Sequence, residues 1–293
     1  MRAAVIGADG QLGSDLVRAF ADHGDEVCAM THSDIEIGNI DSVRNGLRDL
    51  RPQVVVNTAA MHHLDRCEAE PEKAYTVNAL GPRNLALVAR DIGAVLMHVS
   101  TDYVFDGSQG VPYEETDTPR PLNVYGNTKL SGEHFVRCTT EKHFVIRTSG
   151  LYGSHPCKGK GGLNFVELML KLAKERPEVR VVDSESVTPT YTADLAQQLV
   201  ALSRGECYGL YHATAEGSCS WFDFARTIFG MTGTAANLKV AGPGDFPAKV
   251  SRPKYSVLEN RALKGQGLNR FGPWQDGLSR YLEQRRATNG AGS

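Results

Sequence analysis

The sequence opens with a short apolar segment, residues 2–6, that runs directly into a loop with glycines at positions 7, 10 and 13. Apolar residues at helical spacing follow, so the loop is expected to join a buried strand to a helix. Such a connection needs glycine for its tight turn and for close packing of the helix on its sheet. The free N–H groups at the helix N-terminus then favour an anion. Strand, loop and helix in this order predict a dinucleotide-binding fold with a pyrophosphate beside the loop.

Strand and helix patterns continue to alternate after this loop. Apolar strands are predicted at 26–31, 53–57, 95–100 and 143–147, and helices at 41–50, 71–92 and 123–138 lie between them. Uninterrupted apolar strands separated by helices are typical of a parallel sheet covered on both faces. We therefore predict an α/β fold, a doubly wound parallel sheet of the Rossmann type, with a smaller, interleaved C-terminal part.

Two regions with different tasks are expected. Residues 1–150 should form the dinucleotide-binding domain and residues 151–293 the mainly substrate-binding part, with segments near 185–210 returning to the first domain. The basic segment 158–160 is favoured as a solvated loop over a phosphate clamp.

Bulk composition excludes several classes of partner. The 32 basic and 34 acidic residues nearly balance, so the chain lacks the excess of positive charge that is typical of proteins that bind nucleic acid or an anionic membrane. No apolar run approaches the ~20 residues that span a bilayer. The six cysteines form no CxxC pair and fit no zinc template. We expect free thiols, no metal site and a cytoplasmic location.

Tyr125 and Lys129 lie four residues apart in a predicted helix, 24 residues after Thr101 at the end of a predicted strand. Positions i and i+4 share one helix face, so a phenol lies beside an ammonium. A phenol titrates near ~10, and a nearby cation is expected to move its pKa toward working pH. The spacing alone is common by chance, but together with Ser100-Thr101 and the glycine loop it predicts a tyrosine that exchanges a proton with an alcohol or ketone.

The choice of dinucleotide stays open at the sequence level. NAD specificity usually comes from an acid at the end of the second strand. Here that strand ends in Met30-Thr31-His32-Ser33, Asp34 lies slightly beyond it, and no arginine follows to grip a 2′-phosphate. Both NAD(H) and NADP(H) fit, and NADPH is slightly favoured because the strand end itself carries no acid.

These features together resemble the extended short-chain dehydrogenase/reductase family, and within it the dTDP-4-dehydrorhamnose reductase group. The matching segments run in the family's order from residue 5 to about residue 260 and include 7–13, 56–60, 65–68, 77–78, 100–107, 121–129, 147–149, 164–165, 189–190 and 252–253.

The resemblance implies a role for each matching position. Thr101 would hydrogen-bond the substrate carbonyl, Tyr125 would give its oxygen a proton, and Lys129 would support the tyrosine and hold the nicotinamide ribose. The implied cofactor-binding residues are Gly7, Asp9, Gly10, Gln11, Leu12, Gly13, Asp34, Ile35, Ala59, Ala60, Met61, Asn78, Ser100, Tyr125, Lys129 and Thr148. The implied substrate-binding residues are Thr101, Asp102, Tyr103, Asn164, Phe165, Thr190 and Arg252.

The implied activity is NAD(P)H-dependent reduction of the 4-keto group of a nucleotide-linked deoxysugar, with dTDP-4-dehydro-L-rhamnose, reduced to dTDP-L-rhamnose, as the first candidate. Related dehydratases are expected to carry Asp-Glu after the threonine, whereas this chain has Asp102-Tyr103, which favours simple reduction. Gly150 replaces the family's usual tryptophan, which leaves the particular sugar open.

Two other functions remain as alternatives. One is a non-catalytic, NADP-binding regulatory subunit resembling the methionine adenosyltransferase β subunit, and the other is a nucleotide-sugar epimerase. A homodimer is among the assemblies that the resemblance allows. His62 and His63 point to opposite sides of an extended segment and make a poor metal pair, so a substrate contact and a surface or packing role both stay open.

Overall fold

A parallel sheet of six strands forms the centre of the computed structural model, which describes residues 1–156, 162–242, 244–246 and 249–290. The predicted loop at 158–160 lies outside the described residues. The six strands are β1 (Arg2–Ile6), β2 (Glu26–Met30), β3 (Val54–Asn57), β4 (Val95–Thr101), β5 (His143–Thr148) and β10 (Gly209–His212). Their order is β10-β5-β4-β3-β1-β2, and every neighbouring pair is parallel. The predicted doubly wound α/β fold is confirmed.

Within the described residues, six short strands pair outside this sheet. They are β6 (Leu151–Tyr152), β7 (Val179–Val181), β8 (Ser186–Val187), β9 (Thr190–Tyr191), β11 (Cys219–Ser220) and β12 (Leu238–Val240). They pair two by two, as β6 with β9, β7 with β12 and β8 with β11.

Helices cover both faces of the large sheet. The helices are α1 (Gln11–Asp22), α2 (Ile40–Arg48), α3 (Leu64–Ala69), α4 (Pro71–Tyr75), α5 (Gly81–Ile92), α6 (Val124–Thr139), α7 (Phe165–Glu175), α8 (Thr192–Leu202), α9 (Trp221–Thr232), α10 (Arg261–Gly265) and α11 (Trp274–Gly290). On one face Leu16 of α1 and Leu199 of α8 lie in the same buried cluster, and on the other face Val43 of α2, Leu85 of α5 and Val136 of α6 do so. Apolar side chains on both faces explain why the strands are continuous hydrophobic runs.

A third buried cluster belongs to the smaller part of the molecule. It joins α7, α9 and α11 through side chains such as Val166, Phe224 and Leu278. Residues from late in the chain also complete the first layer, because α8 packs on α1 and β10 pairs with β5. The division at residue 150 stays a prediction.

The chain is helical throughout residues 71–92, as the sequence predicts, but the segment Thr76–Leu80 is π-helical. Pro82 has no backbone N–H to donate to an earlier turn, which removes one α-helical hydrogen bond at this place. The carbonyl of Asn78 instead approaches α6, where a Cβ on Gly132 would lie 2.3 Å from it. The π turn therefore sets Asn78 against α6 at the edge of the site described below.

In the described part of the chain, we find no helix of sufficient length and apolar character to cross a bilayer.

Candidate active site

The order in which strands are added to the sheet reverses at β1. β2 lies on one side of β1, and β3, β4 and β5 follow on the other side. In doubly wound sheets, ligands bind outside the carboxyl ends of the strands at such a switch point. The glycine loop leaves β1 here, the turn 58–61 leaves β3, and Thr101 ends β4. These segments border one crevice, which is the candidate active site.

The glycine loop has the geometry of a phosphate cradle. Gly7 has φ +79° and donates its N–H to Met30 O at 2.9 Å. A Cβ on Gly13 would lie 2.1 Å from Gly7 O and 2.8 Å from Ala8 Cα, so only glycine lets α1 pack this close. Gly10 caps α1, and no side chain of the described residues caps this helix end. The first N–H groups of α1 therefore remain available to an anion.

The other residues of this loop are held by the protein. Gln11 Nε2 donates to Gly153 O at 3.1 Å, and Leu12 packs in the core. Asp9 is partly exposed and takes part in an interaction with its surroundings. The loop is therefore braced against the segment after β6, with its glycine backbone facing the crevice.

The turn after β2 is closed by Asp34. Its Oδ2 accepts hydrogen bonds from Thr31 N and Thr31 Oγ1, both at 2.8 Å, and these bonds lower the pKa of the carboxyl. Ile35 is buried behind this turn. One carboxylate oxygen of Asp34 is thus committed to its own turn, and a contact with the cofactor stays a prediction.

The turn after β3 is fixed from behind by Asn78, which is fully buried. Asn78 Oδ1 accepts from Met61 N at 2.8 Å, and Asn78 Nδ2 donates to Met61 O at 2.9 Å and to Thr128 Oγ1 at 3.0 Å. Ala59, Ala60 and Met61 are each partly exposed. Asn78 therefore shapes this turn rather than offering a spare polar group to a cofactor. Of the adjacent histidines, His62 is partly buried and interacts with its surroundings, while His63 is exposed at the start of α3.

Tyr125 lies in the first turn of α6, whose start is set by Asn123. Asn123 Oδ1 accepts from Gly126 N at 2.8 Å and Asn123 Nδ2 donates to Ser251 O at 2.9 Å. Gly126 allows close approach, since a Cβ there would lie 2.2 Å from Tyr103 O. The rings of Tyr103 and Tyr125 meet edge to face at 5.9 Å. Asn123 thus joins the start of α6 to the segment that carries Arg252.

Thr101 and Asp102 lie beside this tyrosine. Thr101 Oγ1 donates to Asp102 Oδ1 at 2.9 Å, and Ser149 Oγ donates to Asp102 Oδ2 at 2.8 Å. Burial raises the pKa of the Asp102 carboxyl, although hydrogen bonds from Ser256, Ser149 and Thr101 oppose this rise. Burial also raises the pKa of Tyr125, opposed by a hydrogen bond with Thr101. The expected lowering of the Tyr125 pKa by Lys129 is therefore not met, because burial of the phenol dominates.

Lys129 is 2% exposed, one helical turn after Tyr125. Its Nζ donates to Val99 O at 2.6 Å. Burial lowers the pKa of the amine to about 8, and the carboxylate of Glu133 acts in the opposite direction. An amine with this pKa can exchange a proton near neutral pH.

Glu133 is a site residue that we did not predict. It is buried and accepts hydrogen bonds from Ser100 Oγ at 2.5 Å and from Arg147 Nη2 at 2.7 Å. Ser100 and Arg147 are register partners on β4 and β5, so Glu133 ties α6 to both strands. A signal was present, because Tyr125, Lys129 and Glu133 follow one another at intervals of four residues. Ser100, a predicted cofactor-binding residue, donates its hydroxyl hydrogen to Glu133.

Two predicted substrate residues use their polar groups for the fold. Asn164 caps α7 by accepting from Glu167 N at 3.0 Å, and its Nδ2 donates to Gly153 O at 2.8 Å and Tyr281 Oη at 3.0 Å. Thr190 Oγ1 accepts from Ala215 N at 3.2 Å. Both residues are buried, so a direct contact with substrate requires a rearrangement of these bonds.

The remaining predicted residues divide between core and crevice. Phe165 stacks on Phe224 at 5.4 Å in the smaller part. Arg252 is exposed, and its charge acts on the phenol of Tyr103. Thr148 Oγ1 is buried and has no hydrogen-bond partner among the described residues, which suits an atom awaiting a polar ligand. The residues 7–13, 59–61 and 148 thus fit a dinucleotide. The described residues contain no group of three or more acidic, histidine or cysteine side chains that could hold a metal ion.

Comparisons with known proteins agree with this geometry. Residues 1–287 match the family model described as the RmlD substrate binding domain. The chain is 41% identical over 281 residues to the spore coat polysaccharide biosynthesis protein SpsK of Bacillus subtilis, with 96% of each chain covered. It is 36% identical over 298 residues to dTDP-4-dehydrorhamnose reductase of Escherichia coli, covering 97% of this chain and 98% of that protein. Among solved structures, dTDP-4-dehydrorhamnose reductase of Bacillus anthracis in complex with NADP has a TM-score of 0.92 and 37% identity, with 97% of this chain and 99% of that chain covered.

Proposed function

The chain belongs to the RmlD substrate binding domain family, an extended short-chain dehydrogenase/reductase group, and from this premise we propose that it reduces the 4-keto group of a nucleotide-linked deoxysugar. It is an NAD(P)-dependent oxidoreductase. The observation that carries the proposal is the hydrogen bond between Thr101 and Tyr125 at the carboxyl edge of the sheet, with the buried Lys129 one helical turn after Tyr125 on α6.

The cofactor is NADP(H) or NAD(H). The glycine loop and the N-terminus of α1 would hold its phosphates, and the turn 59–61 with Thr148 would line its other end. The similar protein of Bacillus anthracis contains NADP, and no acid ends β2 in this chain, so NADPH is the favoured form. When bound, the reduced nicotinamide supplies the hydride.

The side chains divide the remaining work of the reduction. The Thr101 hydroxyl, at the end of β4, would turn its hydrogen from Asp102 Oδ1 to the substrate carbonyl and fix the orientation of that carbonyl. Tyr125 would give its proton to the same oxygen as negative charge develops there. The phenol, with a pKa raised from its usual ~10, is protonated at neutral pH, which is the form that a proton donor needs. Lys129 lies one turn along the helix as a group able to replace that proton.

The proposed substrate is dTDP-4-dehydro-L-rhamnose, and the product is dTDP-L-rhamnose. The similar protein of Escherichia coli is named dTDP-4-dehydrorhamnose reductase, which supports this substrate. The name of SpsK does not specify a sugar. Asp102 and Tyr103 lie beside Tyr125, and the charge of Arg252 acts on Tyr103. All three are proposed to contact the nucleotide sugar, with the guanidinium of Arg252 pairing with the diphosphate. Asn164, Phe165 and Thr190 stay among the proposed substrate residues, and a contact by Asn164 or Thr190 would require a rearrangement of their hydrogen bonds within the fold. A homodimer and a cytoplasmic location remain proposals.

The test is oxidation of NADPH, and in parallel NADH, by the purified full-length chain with dTDP-4-dehydro-L-rhamnose as substrate, followed by identification of the sugar product. Turnover without any partner protein is expected. Tightly retained NAD with no net cofactor consumption would point to an epimerase instead. Cofactor binding without turnover on any nucleotide-linked 4-ketosugar would point to a regulatory subunit.

A further inference from the structure

A chain of three buried polar side chains runs under the active site from the end of β3 to α6. Asn57 is 1% exposed, His98 is 0% exposed and Lys129 is 2% exposed. Asn57 Nδ2 lies 3.1 Å from His98 Nδ1, and His98 Nε2 lies 3.5 Å from Lys129 Nζ. Neither Asn57 nor His98 is among the residues proposed to bind the cofactor or the substrate or to transfer a proton.

The orientation of the Asn57 amide is fixed by the backbone. Ala59 N donates to Asn57 Oδ1 at 3.1 Å, so the oxygen of this amide points toward the turn 58–61 and its NH2 group points toward His98. An amide NH2 group can only donate. His98 Nδ1 must therefore be the acceptor of this bond, and it carries no hydrogen.

The tautomer of His98 follows from this constraint. A neutral imidazole has one N–H and one bare nitrogen, so a bare Nδ1 places the hydrogen on Nε2. Protonation to the imidazolium is opposed by complete burial and by the charge of Lys129, both of which lower the pKa of His98. His98 therefore presents an N–H group to the amine of Lys129.

An N–H group at this position discriminates between the two forms of the amine. As an ammonium, Lys129 has three N–H groups, of which Val99 O accepts one at 2.6 Å, and its positive charge faces the donor of His98. As a neutral amine, Lys129 keeps a hydrogen for Val99 O and offers a lone pair to His98 Nε2–H. The arrangement stabilises the neutral amine relative to the ammonium.

Other titratable groups near Lys129 act on it as well. Glu133, on the same helix, raises the pKa of the amine, but its charge is shared with Arg147 of β5 and with the Ser100 hydroxyl of β4. Tyr125 lies one turn earlier on α6 and is neutral at physiological pH, because a phenol titrates near ~10 and burial raises its pKa further. Among these groups, His98 is the one that opposes the ammonium with a hydrogen-bond donor.

We propose that Asn57 and His98 are positioning residues that fix an Nε2–H donor against Lys129 and so allow this lysine to release a proton during the reaction. The inference rests on the proposed function for its consequence, although not for its geometry. When Tyr125 gives its proton to the substrate oxygen, that proton must be replaced. Lys129 gives one of its three ammonium hydrogens to the Tyr125 phenolate, which becomes a neutral phenol again. The lone pair left on the Lys129 amine then accepts from His98 Nε2–H, and a proton from water later restores the ammonium.

The first experiment reads the tautomer directly. Two-bond 1H–15N correlation spectra of the wild-type chain with 15N-labelled histidine, with the His98 signals assigned by their absence in His98→Phe, report which ring nitrogen carries the hydrogen. We expect an Nε2–H tautomer that does not titrate between pH 6 and pH 9, set by its burial. A hydrogen on Nδ1, or titration in this range, overturns the proposal. This readout is independent of catalysis, so it holds even if the chain reduces no ketosugar.

The second experiment reverses the constraint with Asn57→Asp. A carboxylate accepts from both Ala59 N and His98 Nδ1–H, so the hydrogen of His98 should move to Nδ1, and Nε2 should become an acceptor for the ammonium. Turnover of the wild type should fall as the pH rises through the pKa of Lys129, and in Asn57→Asp this fall should move up by about one unit or more. An unmoved alkaline limb in a variant that still turns over, or an unchanged tautomer, contradicts the proposal.

Asn39→Asp is the matched control, since it makes the same change of atoms at the N-cap of α2, where aspartate caps equally well. Its pH profile should coincide with that of the wild type. If the wild-type chain turns over no nucleotide-linked ketosugar, the reductase function is rejected. The tautomer measurement then still decides the role of His98.

Discussion

Arg147 and Glu133 form an ion pair inside the protein, with 2.7 Å between Nη2 and Oε2 and with 2% and 1% of their side chains exposed. Arg147 Nε also donates to Glu133 Oε1 at 2.9 Å, which makes the contact bidentate. The pair fastens α6, which carries Tyr125 and Lys129, to the sheet. It therefore holds the helix that carries the proposed catalytic residues Tyr125 and Lys129 in place.

Glu133→Gln should destabilise the protein by about 3–5 kcal/mol, because it leaves the buried charge of Arg147 without a counter-charge. Urea unfolding followed by circular dichroism measures the free energy of unfolding. Glu141→Gln, at an exposed position between α6 and β5, is the control and should stay within about 0.5 kcal/mol of the wild type. Equal stabilities for the two variants would show that the buried pair has no such effect.

Tyr125→Phe should lower kcat by ~10²–10⁴-fold, the usual effect of removing one acid–base group. The dissociation constant for NADPH should change little, because the ring and its packing against Tyr103 are kept. Steady-state kinetics and a fluorescence titration with NADPH measure the two quantities. Tyr75→Phe removes a hydroxyl from a tyrosine that is 43% exposed and should leave both unchanged. Turnover close to that of the wild type in Tyr125→Phe would reject its role as the proton donor.

Gly13→Ala should weaken cofactor binding and destabilise the protein by about 1–3 kcal/mol, since the new Cβ would lie 2.1 Å from Gly7 O and must push α1 away from the loop. Gly230→Ala makes the same change in α9 with no atom within 4 Å of the new Cβ. That control should be more stable than the wild type by about 0.5–1 kcal/mol. Thermal shift with and without NADPH distinguishes the two, and an undiminished shift in Gly13→Ala would contradict the cradle.

Asp15 gives a prediction for pH dependence. It is 3% exposed, accepts a hydrogen bond from Thr192 Oγ1 at 2.5 Å, and has a pKa raised by burial. A carboxyl with a raised folded-state pKa contributes stability below its unfolded pKa of about 3.9, and this contribution is lost as the pH rises through the folded pKa. Asp15→Asn should therefore gain stability relative to the wild type as the pH rises from about 4 to 7.

Urea midpoints at these two pH values measure the effect of Asp15→Asn. Asp22→Asn, an exposed position on the same helix, should change the free energy of unfolding little at either pH. A gain for Asp15→Asn that is larger at pH 4 than at pH 7 would have the wrong sign and would contradict the burial argument.

Much of the fold and the outline of the site could be predicted because their signals are local in sequence. Gly7 follows β1 and Gly13 lies in the first turn of α1, and Tyr125 and Lys129 share a helix face through a spacing of four. The parallel strands could be predicted from continuous apolar runs, because helices cover both faces of the sheet. Local spacing determines such features, because they do not depend on contacts between distant residues.

The properties that tertiary structure decided depend on contacts between distant residues. Asn57 and His98 are 41 positions apart, and Glu133 and Arg147 are 14 apart, so no local pattern pairs them. Burial reversed the expected direction of the pKa shift of Tyr125, since desolvation depends on the surrounding packing and not on helix spacing. The sequence alone determined which side chains could do the chemistry, whereas folding decided which hydrogens those side chains hold, because protonation follows the neighbours and the solvent that each group meets.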